Sequence, residues 1–450
     1  MKPLPTTFPY YPLANPKGVK YGCELCFKPA YLQCGMCRVT YYCGIEHQKI
    51  DWVGIHEKIC LDLASFRKPE TFLVSKSERE KDREKLQQKN LNMVRLTQLV
   101  GQKLLFQGKP EEAVPAALQC LRFTVRAFGI DSIELVSPYL ILAESSIGLG
   151  KLAEAETYLA QAQWIVLKAQ RKCPNAIRSQ LHRKLGLLYA VKGDYELALE
   201  SLAKDVFYAS SEYGTDHIRT AGGYFQMAEV FYAMYKTSVN KISQGQNISA
   251  KLSKPTYTLN TLETSEITKL NNLYSQFVSE EKSKSDVSFL SNPGLFIQSP
   301  TLTPQMADDL YARVVNIWAA YLRELIESSL YEPETPDGIS AVAVEITRET
   351  KQTLDDAQKA EAEKMLYAIE KYRNHRISED ESNTIACNPF KPDTKVQLYL
   401  ALSMLNYVLG RRQESLQYLT EAKVAVEFIV HHSKIIENIN LMKLALNVNT

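Results

Sequence analysis

Apolar positions spaced for helices run through most of the chain, and a longer period is laid over them. Small residues recur at Gly101, Ala143, Gly186 and Ala228, in steps of 42, 43 and 42 residues. Glycines suited to end a helix stand at Gly108, Gly150, Gly193 and Gly410, each followed five residues on by Ala113, Ala155, Ala198 or Ser415. Small residues let two antiparallel helices approach closely, and glycine supplies the left-handed stop. One such pair cannot bury its apolar face alone, so the pattern predicts stacked helical hairpins sharing a core. Upstream, Ser75-x-x-Glu78 reads as a capping box opening a helix through Leu91 that is charged on most faces, a solvated spacer.

The clearest copy is Leu185-Gly186-Leu187-Leu188-Tyr189, followed by Gly193-Asp194-Tyr195-Glu196-Leu197-Ala198. It resembles a tetratricopeptide repeat (TPR) in a form longer than the common length of about 34 residues. The expected class is mostly α: an N-terminal finger, then an all-α TPR solenoid of long helical-hairpin repeats. On this reading residues 94–235 hold repeats 1–3 and the first helix of repeat 4. Its second helix follows in 304–330, with Ala307 at the small position. Residues 236–303 are rich in Ser, Thr, Asn and Lys; such composition does not repay ordering entropy, so they read as a long insertion. A second break covers Glu332–Ser340, a charged helix 351–376, and a last TPR-like repeat with its capping helix 394–447. In the solenoid, Arg183 and Leu187, with Phe225 and Glu229 one repeat on, are candidate partner-groove positions; Leu187 and Phe225 would serve equally as packing between repeats.

The chain has 450 residues and a net charge of +2, which excludes a generally basic nucleic-acid binder. No run approaches the roughly 18 apolar residues of a membrane span. Residues 1–22 read as an extended segment with no secretory apolar core, so an intracellular, soluble protein is expected.

The cysteines are unevenly placed. Six of nine, Cys23, Cys26, Cys34, Cys37, Cys43 and Cys60, fall within residues 23–60 together with His47 and His56. Cys120, Cys173 and Cys387 are scattered and read as small buried apolar residues. A disulfide framework fits a reduced cytosolic chain poorly. The spacing C-x2-C-x7-C-x2-C-x5-C-x3-H-x8-H-x3-C instead offers eight donors, the number that two closed tetrahedral zinc sites need. The main competing possibility is a half-empty finger with His47 on the surface.

With Tyr41-Tyr42-Cys43 and Gln48-Lys49-Ile50-Asp51-Trp52 before His56 and Cys60, residues 23–60 resemble the MYND zinc finger. The resemblance implies interleaved ligands: Cys23, Cys26, Cys43 and His47 on the first zinc, and Cys34, Cys37, His56 and Cys60 on the second. His47 departs from the cysteine usual in that family; imidazole also ligates zinc. Members that bind Pro-containing peptides do so beside residues corresponding to Gln48 and Trp52, although Gly35 stands where such members carry serine. Trp52 would equally form the finger's small core. Residues 61–93 read as a charged helical linker.

Enzyme signatures are missing: there is no Walker loop, no strand-linked G-x-G-x-x-G, no G-x-S-x-G elbow and no kinase set. MYND fingers also occur in SET-domain methyltransferases, but those place catalytic sequence before the finger, and only 22 residues precede Cys23 here. The modest basic excess of residues 1–60, seven Lys/Arg against four Asp/Glu, is no phosphate-tracking stripe. Gln98 and Gln102 replace the Lys and Asn of a chaperone-tail clamp.

The order finger, charged helix, long-period repeats, together with Asp308-Asp309-Leu310-Tyr311-Ala312-Arg313-Val314-Val315-Asn316-Ile317-Trp318, resembles the axonemal MYND-and-TPR family of motile cilia. That resemblance implies a non-enzymatic scaffold of the ciliary or flagellar axoneme, associated with an inner dynein arm and partnered by a second TPR protein. It implies no nucleic acid, no membrane and no small-molecule substrate. The alternatives are a cytoplasmic dynein-arm assembly factor and a general MYND adaptor for Pro-rich peptides.

Overall fold

The structure is a computed structural model, and it describes residues 10–12, 20–67, 75–243, 304–330, 353–382, 392–426 and 433–447. The second break at 332–340, His431-His432, Cys387 and residues 244–303 of the Ser/Thr-rich stretch lie outside the described residues.

Three short strands, β1 (Tyr10–Pro12), β2 (Leu32–Cys34) and β3 (Tyr41–Tyr42), form an antiparallel sheet in that order. Helix α1 (Ile45–Asp51) continues through a π-helical turn, Trp52–His56, into α2 (Glu57–Arg67). Next come α3 (Lys76–Phe106), α4 (Pro110–Phe128), α5 (Val136–Gly148), α6 (Leu152–Ala169), α7 (Asn175–Lys192), α8 (Tyr195–Tyr213) and α9 (Ile218–Ser243). After residue 303 follow α10 (Gln305–Leu330), α11 (Asp356–Ser382), α12 (Pro392–Val408), α13 (Arg412–Val426) and α14 (Ser433–Ala445). No described helix is long and apolar enough to cross a membrane.

Helices α3–α4, α5–α6, α7–α8 and α12–α13 pair as hairpins. The stops behave as the pattern requires: Gly108, Gly150, Gly193 and Gly410 have φ between 72° and 80°, and each is followed by an amide that reaches back to close the helix end, as Lys151 does to the Ser146 carbonyl at 2.8 Å. At Gly186 a Cβ would stand 2.6 Å from Leu202 Cγ, so the α7–α8 crossing needs glycine there. Ala113, Ala155, Ala198, Ala228 and Ala307 are fully buried. Ser415 keeps the small position by hydrogen bonding across its hairpin, its hydroxyl donating to the Ser403 carbonyl at 2.8 Å.

Three features differ from the sequence reading. The linker is not a separate element: α2 extends the finger to Arg67, and α3 is one unbroken helix whose Lys76–Gln88 part is exposed and whose remainder is the first hairpin helix. The Ser75 side chain makes no cap bond. Helix α9 passes Lys236 and runs to Ser243, where Thr237 and Ser238 hydroxyls bond back to the carbonyls of Ala233 and Tyr235.

The chain divides into two units, Met1–Val230 with Ala307–Thr450, and Phe231–Met306. Within the first, apolar clusters follow the hairpins: Val136, Leu140, Ile147, Leu159, Leu181 and Leu188 join α5, α6 and α7. Another cluster crosses from finger to hairpin, with Ile55, Ile59 and Leu63 against Met93, Val100, Ala116 and Phe123. The finger therefore has no separate core of its own on that side. A Cβ on Gly54 would lie 2.5 Å from the Glu112 carbonyl oxygen, which shows how tightly the π turn seats on α4.

Candidate metal centre

Each C-x2-C pair forms a tight knuckle. In the first, the Phe27 amide donates to the Cys23 carbonyl at 3.1 Å; in the second, the Arg38 amide donates to that of Cys34 at 3.0 Å. Phe27 and Arg38 occupy the same place in the two loops, and both adopt φ 57°. A left-handed non-glycine residue costs roughly 1–2 kcal/mol, so two of them at matched positions mark loops shaped for presenting thiols.

The knuckles and helices gather two clusters, Cys23, Cys26, Cys43, His47 and Cys34, Cys37, His56, Cys60, with ligand atoms within 4.8 Å of one another in each. Cys26 and Cys43 sulfurs are 3.6 Å apart, and His47 Nδ1 lies 3.3 Å from Cys23 Sγ and 3.2 Å from Cys43 Sγ. In the second cluster Cys34 and Cys60 sulfurs are 4.0 Å apart and His56 Nε2 is 3.7 Å from Cys37 Sγ. A tetrahedral ion with Zn–S near 2.3 Å sets its sulfurs about 3.8 Å apart, so both clusters fit zinc. His47 belongs to the first cluster, against the half-empty alternative.

Packing places the thiols in conflict, which a divalent cation resolves. Hydrogen bonding from Cys34, helped by His56 and Thr40, holds Cys37 down to about 3, while the same contact pushes Cys34 upward. Burial and the neighbouring Cys26 and Cys23 push Cys43 up to about 12. Without an ion the three thiols of a cluster do not ionise together; zinc takes all three as thiolates, beside a neutral imidazole. Behind the second cluster, Asp51 accepts the Tyr42 hydroxyl at 2.6 Å and sets a carboxylate oxygen 3.6 Å from His56 Nδ1, near the ligand ring but beyond hydrogen-bond length. The π turn sets His56 between Asp51 and the cysteines; such bulges often sit at functional positions.

Residues 23–60 match the family described as MYND finger. They form a MYND finger. The chain thus carries a MYND zinc finger followed by a helical region, and the finger's two clusters fit two zinc ions with protein donors at all eight positions. Such closed sites are structural in character, and their binding energy is folding energy for the segment.

The peptide-side expectation needs correction. Gln48 and Trp52 are 1% and 7% exposed, with Trp52 in the finger's own core beside Tyr42 and Cys60. Neither offers a surface to a peptide, because α1 and the π turn pack against α4.

The partner-groove expectation needs correction too. Arg183, Leu187 and Phe225 do line one depression, yet Glu361, Lys364 and Met365 of α11 close it, leaving a cavity of about 40 Å³. Helix α11 packs on α3, and its Glu361, Lys364 and Met365 line the depression together with Phe106 of α3, Glu144 of α5 and Gly222 of α9. Lys103 pairs with Asp356 at 2.7 Å, Trp318 Nε1 meets Met365 Sδ at 3.4 Å, and Tyr372 donates to Asp308 at 2.6 Å. Glu229 is exposed, but it accepts the Tyr311 hydroxyl at 2.5 Å. The depression that holds Arg183 and Phe225 is covered by the chain's own α11.

Residues that sequence reasoning missed sit where finger and hairpin meet. Glu24 is almost buried and receives Arg67, Gln119 and Arg122. Only its place between Cys23 and Cys26 hinted at a role; nothing in the spacing linked it to Arg122.

Proposed function

We propose that this protein is a non-enzymatic interaction scaffold of the axoneme, docking or stabilising an inner dynein arm together with a second TPR protein. The observation that carries a scaffold role is architectural: a finger with two closed zinc sites packs through Ile55, Ile59 and Leu63 onto the first of several helical hairpins. The axonemal part rests on the resemblance in domain order and in Asp308–Trp318. Of that segment, Tyr311, Val314, Val315, Ile317 and Trp318 are buried, so it carries the helix packing of such a repeat protein.

With α11 covering the Arg183–Phe225 depression, partner contact falls on other, exposed surface in this reading. There Trp164 of α6 is 56% exposed, the residue type that most often anchors interfaces. The burial of Gln48 and Trp52 argues against a finger that works mainly by capturing peptides.

The test is extraction from a ciliated cell. Tagged full-length protein should stay with axonemes through detergent and leave in high salt. Recovery wholly in the detergent-soluble cell body would replace this reading with that of a cytoplasmic assembly factor.

A further inference from the structure

We propose that the first zinc ion locks the finger onto the first hairpin, with Glu24 as the residue that transmits its presence. Glu24 stands inside the first knuckle, flanked by the ligands Cys23 and Cys26, and its side chain is 8% exposed. Its carboxylate accepts from Arg67 Nη1 and Nη2, from Gln119 Nε2 at 3.3 Å and from Arg122 Nη1. Arg122 also donates through Nη2 to the Glu24 main-chain carbonyl at 2.6 Å, and its guanidinium lies 5.7 Å from the Phe27 ring. Arg67 closes the other side by donating to the Val39 carbonyl at 2.8 Å.

Two of these partners, Gln119 and Arg122, belong to α4 and Arg67 to α2, so a single loop ties two helices. The loop's shape depends on its ligands. With zinc bound, Cys23 and Cys26 are drawn to one point, and Glu24 between them is aimed at α4. Once the ion leaves, the left-handed Phe27 has less to hold it, and the carboxylate's alignment with two arginines is lost. Residues that orient a metal site from outside typically alter its affinity by about 10- to 100-fold, and reciprocity makes the site alter their packing equally.

Accessibility adds direction. Cys26, Cys43 and His47 of the first cluster are partly exposed, whereas all four donors of the second are buried. The first ion is therefore the one that a competing ligand reaches, while the second, beneath Trp52 and Tyr42, persists and keeps the finger folded. The consequence is a metal-dependent dock: loss of one ion loosens the finger from α4 without dismantling it.

The full chain, loaded with two zinc ions, is titrated with a chromogenic chelator while cysteine alkylation and hydrogen exchange in residues 113–126 are followed by mass spectrometry. One ion should leave in a faster phase, exposing Cys26 and Cys43 to alkylation, and exchange in 113–126 should rise in that same phase. Glu24→Gln and Arg122→Met should each speed that phase about tenfold or more and leave the slower one unchanged, although Arg122 is no ligand. Alkylation of Cys34, Cys37 or Cys60 first, or residues 113–126 staying protected after the first ion has gone, would overturn the proposal. So would wild-type release from both variants. Should Glu24→Gln fail to fold, Arg122→Lys carries the test, since it keeps the charge but loses the two-donor fork. Intermediate acceleration is expected from it, and a wild-type rate counts against the dock.

Discussion

Arg183 and Asp205 form a bidentate pair across α7 and α8, with Nε to Oδ2 at 2.7 Å and Nη2 to Oδ1 at 3.3 Å. Nη2 also donates to the Arg219 carbonyl at 2.7 Å, and Ser179 donates to Asp205 at 2.5 Å. Asp205 is fully buried. Arg183 thus joins the α7–α8 hairpin to the start of α9 and is largely spent inside the fold.

Arg183→Glu should accordingly destabilise the protein by about 3–5 kcal/mol, because it strands a buried carboxylate beside a second one. Thermal or denaturant unfolding measures this. Full stability together with loss of partner binding would show instead that Arg183 serves an interface.

Metal analysis of the reduced chain should return two zinc ions. Cys37→Ser should abolish the second site, removing binding energy of order 10 kcal/mol that folds the segment. An isolated finger would leave the hairpins intact, but Ile55, Ile59 and Leu63 share their cluster with Val100 and Phe123. Raised hydrogen exchange in α3 and α4 should therefore accompany the loss, and unchanged protection there would contradict a shared core.

Gly54→Ala asks the same of packing alone. The added methyl meets the Glu112 carbonyl and the Pro115 ring, so the finger must shift on α4 at a cost of roughly 1–3 kcal/mol. Both zinc ions should still bind, which separates this defect from a ligand defect. An unfolding midpoint equal to wild type would mean that the contact is easily relieved.

His182 supplies a pH dependence. Burial, with Lys204 and Arg178 nearby, depresses its pKa to about 3, and its ring stacks on Tyr208. The unfolded chain takes up this proton near its ordinary value of about 6.5 while the fold does not. Stability from His182 is thus full above that value and falls with pH down towards 3, by at most about 1.4 kcal/mol per unit. His182→Leu should flatten this limb of the stability–pH curve, and an unchanged slope would assign it to other groups.

Local features were legible in the sequence for local reasons. Zinc ligands are set by donor type and spacing, and both knuckles close within five residues, so Cys23 to Cys60 announced eight donors before any fold was known. Helix stops at Gly108, Gly150, Gly193 and Gly410 are likewise decided by one residue's freedom to adopt positive φ, and the buried Ala113, Ala155 and Ala198 by the closeness of paired helices. What lay beyond reach is decided by contacts between distant segments. That α11 covers the Arg183–Phe225 depression depends on Glu361, Lys364 and Met365 meeting residues far away in sequence, such as Glu144 and Gly222, and neither period nor composition carries a signal for those meetings. Gln48, Trp52, Arg183 and Leu187 sit on faces that sequence spacing leaves open. Tertiary packing covered them, because an apolar or charged helix face is stabilised by whichever surface excludes water from it, and the chain's own helices were nearest. Glu24 makes the same point at the finger, where its neighbours in sequence mark a metal site while its partner in space, Arg122, turns that site into a joint.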